Sequence, residues 1–260
     1  MNRGPTPKPE PAITDWIASI DRESRSLAQA VAGAGLDAPV PTCPDWRVRD
    51  LMRHLGGVHR WAATHVSEAR MSEMGQDETE AVMDSFPEDE SLPEWFEAGH
   101  QSLCQVLVDA PSDLKCWSFL PAPSPLAFWA RRQAHETEIH RADAEFAAGS
   151  DRLIFPAAVA ADGIEEILFG FGSRARRLSL DREYRLAVIP QDRPEGWLVH
   201  LGPNGIRAQR RAGDADCHVR GTASDLYLLL WNRLPGSALT VEGDQTALAS
   251  WQSTMQVTWS

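Results

Sequence analysis

Near residue 149 the chain changes its hydrophobic rhythm, and that change limits what it can fold into. Ahead of it, apolar residues recur three and four apart: Trp16, Ile17, Ile20, Leu27 and Val31, then Leu51, Leu55 and Val58 with Trp61, then Trp95, Leu103 and Leu107. Such a period places one buried stripe on each helix. It predicts a first helix capped by Thr14, and others over 48–68, 92–108 and 126–148. The turn-like stretch 38–44, Pro111 and the proline cluster at 121–125 separate them. Residues 68–90 are acidic and short of large aliphatic side chains, which reads as a surface loop or weak helix with a solvated charge run. Four helices joined by loops predict a bundle.

Beyond Gly149 the pattern becomes mixed. A helix over 157–169 precedes short β-like runs at 184–189, 197–201, 206–210 and 217–220, punctuated by Gly196, Gly202, Pro203, Gly205 and Gly213. Thr222 or Ser224 then caps an amphipathic helix through Asn232, a strand follows at 239–242, and a last helix covers 245–255. The fold class expected is therefore α plus α+β, a four-helix bundle followed by a smaller α+β domain. The expected boundaries are an extended or disordered tail at 1–12, the bundle at 13–150 and the second domain at 151–260.

Bulk properties narrow the function. With 260 residues, 43% hydrophobic and 24% charged, the chain has ordinary globular composition. A formal net charge of -12 disfavours nucleic acid or an anionic membrane as the main partner. No apolar run approaches a bilayer span, and residues 1–11 lack the apolar core of a secretory leader. Cys43, Cys104, Cys116 and Cys217 form no CxxC pair or disulfide framework, so they read as reduced thiols in a cytoplasmic protein.

The chemistry concentrates in Arg131-Arg132-Gln133-Ala134-His135-Glu136-Thr137-Glu138-Ile139-His140-Arg141-Ala142-Asp143-Ala144-Glu145. His135-Glu136 suggests the HExxH metalloprotease motif, but the second histidine comes one residue late. Residues five apart on a helix point roughly 140° from one another, so His135 and His140 do not share an ion simply. Glu136 and His140, four apart, lie on one face and can grip one. A third ligand has to come from another helix, and His54 stands in the apolar run Leu51-Met52-Arg53-His54-Leu55. A histidine buried there needs a partner, either an ion shared with Glu136 and His140 or Glu136 alone. His65, three turns after His54, is a substitute or supporting group, whereas His59 and His100 read as surface residues.

Three segments resemble the mycothiol-dependent maleylpyruvate isomerase family, within the wider DinB-like group of metal-binding four-helix bundles. They are Cys43-Pro44-Asp45-Trp46-Arg47-Val48-Arg49-Asp50-Leu51-Met52-Arg53-His54-Leu55, the run from Glu136 to Glu145 with His140-Arg141-Ala142-Asp143-Ala144-Glu145, and Arg220-Gly221-Thr222-Ala223-Ser224-Asp225-Leu226-Tyr227-Leu228-Leu229-Leu230-Trp231-Asn232-Arg233. The third is similar to the family's sterol-carrier-like C-terminal domain. The resemblance implies zinc on His54, Glu136 and His140, with nickel, iron and manganese also compatible with that donor set. It implies mycothiol as the thiol cofactor and a small electrophilic substrate. The family usually carries Thr or Ser where Arg47 stands, so the cap of the second helix is expected from Asp45.

By that resemblance the chain is an S-transferase or isomerase. A metal-bound thiolate attacks an electrophilic carbon; a lasting adduct makes a transferase, and bond rotation with thiol loss makes an isomerase. Arg233 is the candidate for catalysis and cofactor binding, because a guanidinium fork suits a carboxylate or a polar thiol. It reads equally as a helix-end arginine favoured by the dipole. Trp46 and Trp231 read as core residues, and Arg132 and Arg141 as partners of Asp143 or Glu145. Two other readings stay open: a non-catalytic, metal-stabilised module that binds or senses a small ligand, and hydrolysis with Glu138 or His135 as base. Thiol-dependent turnover separates them. The oligomeric state, monomer or homodimer, is open too.

Overall fold

The protein is described here by a computed structural model covering residues 11–176, 178–180 and 182–256. The tail expected at 1–12 lies almost wholly outside the described residues. The chain forms two compact units, Met1–Gly149 and Ser150–Ser260. They are a helical bundle and a smaller α+β unit.

In the first unit four long helices, α1 (Ile13–Ala34), α2 (Val48–Ser67), α4 (Leu92–Asp109) and α5 (Pro125–Ala147), surround a common core. Packing runs α1 to α5, α5 to α2, α2 to α4 and α4 back to α1. The acidic stretch before α4 holds a short α-helix, α3 (Gln76–Met83), none of whose residues is buried, and a 3-10 turn at Asp89–Ser91. Leu27, Val31, Val48, Leu51, Met52, Leu55, Leu92 and Phe96 form one apolar cluster contributed by α1, α2 and α4. The 3.6-residue stripes seen in the sequence thus meet inside the bundle.

The helix starts differ from expectation. Thr14 and Asp45 do not cap. Instead Asp15 accepts from the Ala12 N–H at 2.8 Å, and Asp50 from the Arg47 N–H at 2.9 Å. An aspartate in the first turn satisfies an orphan donor and also suits the positive end of the helix, so a side chain inside the helix takes the role assigned to one before it. Helix α5 follows the ordinary pattern, with Ser124 Oγ accepting from the Ala127 N–H at 3.1 Å.

The second unit holds one sheet with strand order β3-β2-β1-β4-β5, made of β1 (Tyr184–Pro190), β2 (Trp197–Gly202), β3 (Gly205–Gln209), β4 (Cys217–Gly221) and β5 (Thr240–Gly243). Only β1 and β4 run parallel among these pairs. The register sets Leu186 between Val199 and Cys217, and Val188 between Trp197 and Val219. All six are buried, so alternate residues of three strands supply one continuous apolar layer. Helices α7 (Ala223–Leu230) and α8 (Thr246–Thr254) pack on this sheet, and α6 (Ala157–Glu165), which continues as a π-helical turn over Glu166–Phe171, packs on α7.

Thr222, not Ser224, caps α7, accepting from the Asp225 N–H at 3.1 Å. Ser224 accepts from the Phe155 N–H at 2.9 Å instead, tying the entry to α6 onto α7. Asn232 ends α7 with φ of 59°, and its amide donates to the carbonyls of Gln252 and Met255 at 3.1 and 2.9 Å. The left-handed position and the bond to the end of α8 account for an asparagine there.

Two glycines mark close approaches. A Cβ on Gly163 would meet the Tyr227 ring at 2.3 Å, and one on Gly56 would meet the Trp95 ring at 2.1 Å. Trp95 cannot swing aside freely, because the Arg60 guanidinium lies 3.7 Å over its ring and donates to its carbonyl at 2.6 Å. Gly56→Ala is therefore expected to cost about 1–3 kcal/mol by overpacking. Gly33→Ala, with open space around it on α1, should be neutral or stabilising by up to about 1 kcal/mol. Denaturant unfolding of the two variants checks this; equal midpoints would contradict the packing described.

Candidate metal centre

Helix α5 is the unusual element of the bundle. Arg132, Gln133, His135, Glu136, Thr137, Glu138, His140, Arg141 and Asp143 are all buried on it. Polar groups out of water need partners, and each face of α5 finds them on a different neighbour.

Toward α1, Glu138 accepts from the Ser19 hydroxyl at 2.9 Å and lies 3.2 Å from His135 Nδ1, whose ring packs 5.0 Å from Trp16. Arg141 pairs with Glu23 of α1 and with Glu145. His135 and Glu138 are thus engaged with each other and with α1.

Toward α2 the structure brings His54, Glu136 and His140 together. Glu136 Oε1 stands 3.4 Å from His54 Nε2 and 3.2 Å from His140 Nε2, and the three donor atoms all lie within 4.8 Å of one another. In a tetrahedral site with ligand bonds of about 2.0–2.1 Å, neighbouring donors are separated by roughly 3.3 Å. Both carboxylate–imidazole edges match that spacing. Two neutral imidazoles and one carboxylate are a suitable donor set for zinc and related divalent ions, so the residues fit such an ion.

Electrostatics prepare the carboxylate. Burial by itself would raise the Glu136 pKa, but the Arg132 guanidinium, 2.7 Å from Oε2, and the two imidazoles outweigh it and hold the group well below the carboxylate range. His54 is shifted down, because burial outweighs its bond to Glu136. His140 is shifted up: burial opposes its charge, and the hydrogen bonds it donates to Asp143 and Glu136 overcome that. Arg132 thus serves Glu136, while Arg141 takes Glu145 as its position suggested.

Several residues that the sequence reading left out or misplaced belong to this centre. Asp143 Oδ2 lies 2.9 Å from His140 Nδ1, and Thr42 donates to Oδ1 of the same carboxylate. Trp46 is not simply a core residue. Its partly exposed indole sits 4.9 Å from the His54 ring and 6.0 Å from the His140 ring, the latter nearly parallel at 25°. The signals were available in the spacing, since Arg132 precedes Glu136 by four and Asp143 follows His140 by three, both on the ligand face.

Other histidines go elsewhere. His59 and His100 are buried rather than on the surface. His59 Nε2 donates to Thr137 Oγ1 at 3.0 Å, the hydroxyl in turn donating to the Gln133 carbonyl at 2.7 Å. Burial, with His100 nearby, pushes the His59 pKa down to about 3, so this ring is a neutral structural donor. His65 is not a substitute ligand: three turns along α2, about 16 Å from His54 by helix rise, it stacks on Trp129 with ring centres 5.1 Å apart and also contacts Trp61 and Trp117. In the second unit, Arg233 Nη1 donates to the Trp231 carbonyl at 2.8 Å, and Trp231 is buried against Phe171.

Comparison with known proteins adds the following. Residues 17–145 match the family model described as the mycothiol maleylpyruvate isomerase N-terminal domain, and residues 158–250 match the corresponding C-terminal domain. No curated protein sequence matches the chain. Among solved structures, the crystal structure of the mycothiol-dependent maleylpyruvate isomerase superposes with a TM-score of 0.61 at 12% identity, over 89% of this chain and 93% of that one. A histidine-to-alanine mutant of that enzyme gives 0.62 at 11% identity with the same coverage. At such identity the likeness speaks for the fold. Among the described residues no helix is long and apolar enough to cross a membrane. With both domain models matched in order along the same architecture, the chain belongs to the mycothiol maleylpyruvate isomerase family.

Proposed function

We propose that this protein is a zinc-dependent, mycothiol-dependent S-transferase or isomerase of the cytoplasm, acting on a small electrophilic substrate. The observation that carries the reading is the convergence of His54, Glu136 and His140, from two helices, at spacing suited to one ion. The candidate ligands all lie in the bundle, residues 13–150; the α+β domain covers 151–260.

Zinc, when bound, would supply Lewis acidity, keeping a coordinated thiol deprotonated at neutral pH although a free thiol titrates near ~8.5. The chain's own residues do the rest. His54 and His140 present neutral imidazole nitrogens, and Glu136 brings the single negative charge. Arg132 offsets that charge from the far side, so the donor set is not over-anionic. Three protein ligands leave one position for sulfur, the arrangement expected of a catalytic site. Trp46 lies over both imidazoles and is partly exposed, giving an apolar wall that excludes water beside the ligands. Arg233 is assigned to the carboxylate of the substrate or the polar body of the thiol; its Nη1 is engaged with Trp231, and the bidentate fork suits that task.

Three outcomes test this reading. Purified protein should carry one equivalent of divalent metal, and His54→Ala should lose it while keeping its helical circular-dichroism signal; a variant with full metal content would remove His54 from the ligand set. Turnover of maleylpyruvate or another small electrophile should require mycothiol in preference to other cellular thiols, and should vanish on chelation and return with zinc. Catalysis indifferent to both thiol and chelator would sink the assignment. Protons compete with the ion for both Nε2 atoms. Because the His140 pKa is raised above 6.5, ion affinity should already decline as pH falls toward that value from above, and decline further below it. Affinity that stays flat across this range in a chelator titration would contradict the assignment of His140.

A further inference from the structure

Asp143 is a fully buried carboxylate one turn beyond His140 on the same face of α5. Its Oδ2 meets His140 Nδ1 at 2.9 Å, while its Oδ1 accepts from the Thr42 hydroxyl and the Cys43 thiol lies 3.8 Å from Oδ2. Thr42 and Cys43 come from the connection between α1 and α2, and that connection is itself fixed. The Val40 N–H donates to the Trp46 carbonyl at 3.0 Å, the Cys43 N–H to the Val40 carbonyl at 3.0 Å, and the Trp46 N–H to the Cys43 carbonyl at 2.8 Å. One short segment thus grips Asp143 and also lays Trp46 on the imidazoles.

A neutral imidazole has one ring proton, and here two carboxylates reach for it from opposite ends. Glu136 Oε1 is 3.2 Å from Nε2, and Asp143 Oδ2 is 2.9 Å from Nδ1. If the proton sits on Nε2, the ring points a donor into the centre of the triad and cannot ligate from there. If it sits on Nδ1, the Nε2 lone pair faces that centre.

We propose that Asp143 is the positioning residue of the metal centre: held by Thr42, it keeps the proton of neutral His140 on Nδ1 and so turns the Nε2 lone pair toward the ion. The inference rests on reading the triad as a metal site, but its first test does not. Such partners of a ligating histidine change metal affinity by about 10–100-fold when removed.

The experiment has two arms on the full chain. Nitrogen-15 NMR of metal-free protein, at a pH alkaline enough to leave His140 neutral, reads the tautomer. The parent should show Nδ1 protonated, and Asp143→Ala should move the proton to Nε2, toward Glu136. The same tautomer in both would overturn the proposal. In the second arm, zinc affinity is measured by chelator competition. Asp143→Ala should weaken binding by about 10–100-fold, Asp143→Asn should recover part of the loss because its amide oxygen still accepts from Nδ1, and Thr42→Val should fall between parent and Asp143→Ala. Affinity for Asp143→Ala within about twofold of the parent would also overturn it. Should Asp143→Ala fail to fold, the parent carries the first arm, His140 protonated on Nε2 overturning the proposal, and Thr42→Val and Asp143→Asn carry the second. A parent that binds no zinc would refute the proposed metal function, and the tautomer arm would still decide the role of Asp143.

Discussion

The bundle depends on one unusual condition: its fourth long helix is buried along nearly all its faces while carrying acids, bases and amides. Nine polar or charged residues of α5 are removed from water, and each would cost several kcal/mol without a partner. The fold meets this by giving every face its own complement. Ser19, Trp16 and Glu23 of α1 serve one side, His54 and His59 of α2 another, and Thr42 of the connecting loop a third. The helix order around the core brings these complements into reach. Replacing one partner leaves a buried charge, so the network is specific out of proportion to the net energy of its pairs.

Much of this was legible in the sequence. The ranges read for α2, α4 and α5 fall within a residue of those observed, the α1 stripe lies inside its helix, and the change in rhythm after Gly149 separated helical from mixed structure. Glu136 and His140 were readable as a pair because four residues bring side chains onto one face, and His54 because a lone imidazole in an apolar run needs something to bind. The three side chains do stand together in the structure.

What escaped the sequence is equally physical. An aspartate in the first turn caps by reaching backward, so Asp15 and Asp50 were passed over for Thr14 and Asp45. His59 and His100 read as surface residues from the sequence, yet each lies on a helix whose neighbours pair with it or enclose it. Trp46 was assigned to the core because aromatic residues usually go there; its contact with both imidazoles depends on a loop path that no periodicity encodes. Arg132 has the right spacing to Glu136, but a salt bridge within one helix looks the same on a wet surface and in a dry interior.

The close fit of α5 has a bearing on how such a chain can vary in length. Each residue on a helix turns the next by about 100°. Deleting one residue ahead of Gln133 would rotate the entire downstream set together, offering His140 to a different neighbour and leaving the partners on α1, α2 and the loop facing the wrong side chains. No compensating substitution at a single position repairs such a slip. Insertions and deletions in proteins built this way are therefore confined to the connections, such as the stretch at 110–124, and the spacing from Arg132 through Asp143 acts as a ruler that inheritance has to copy whole.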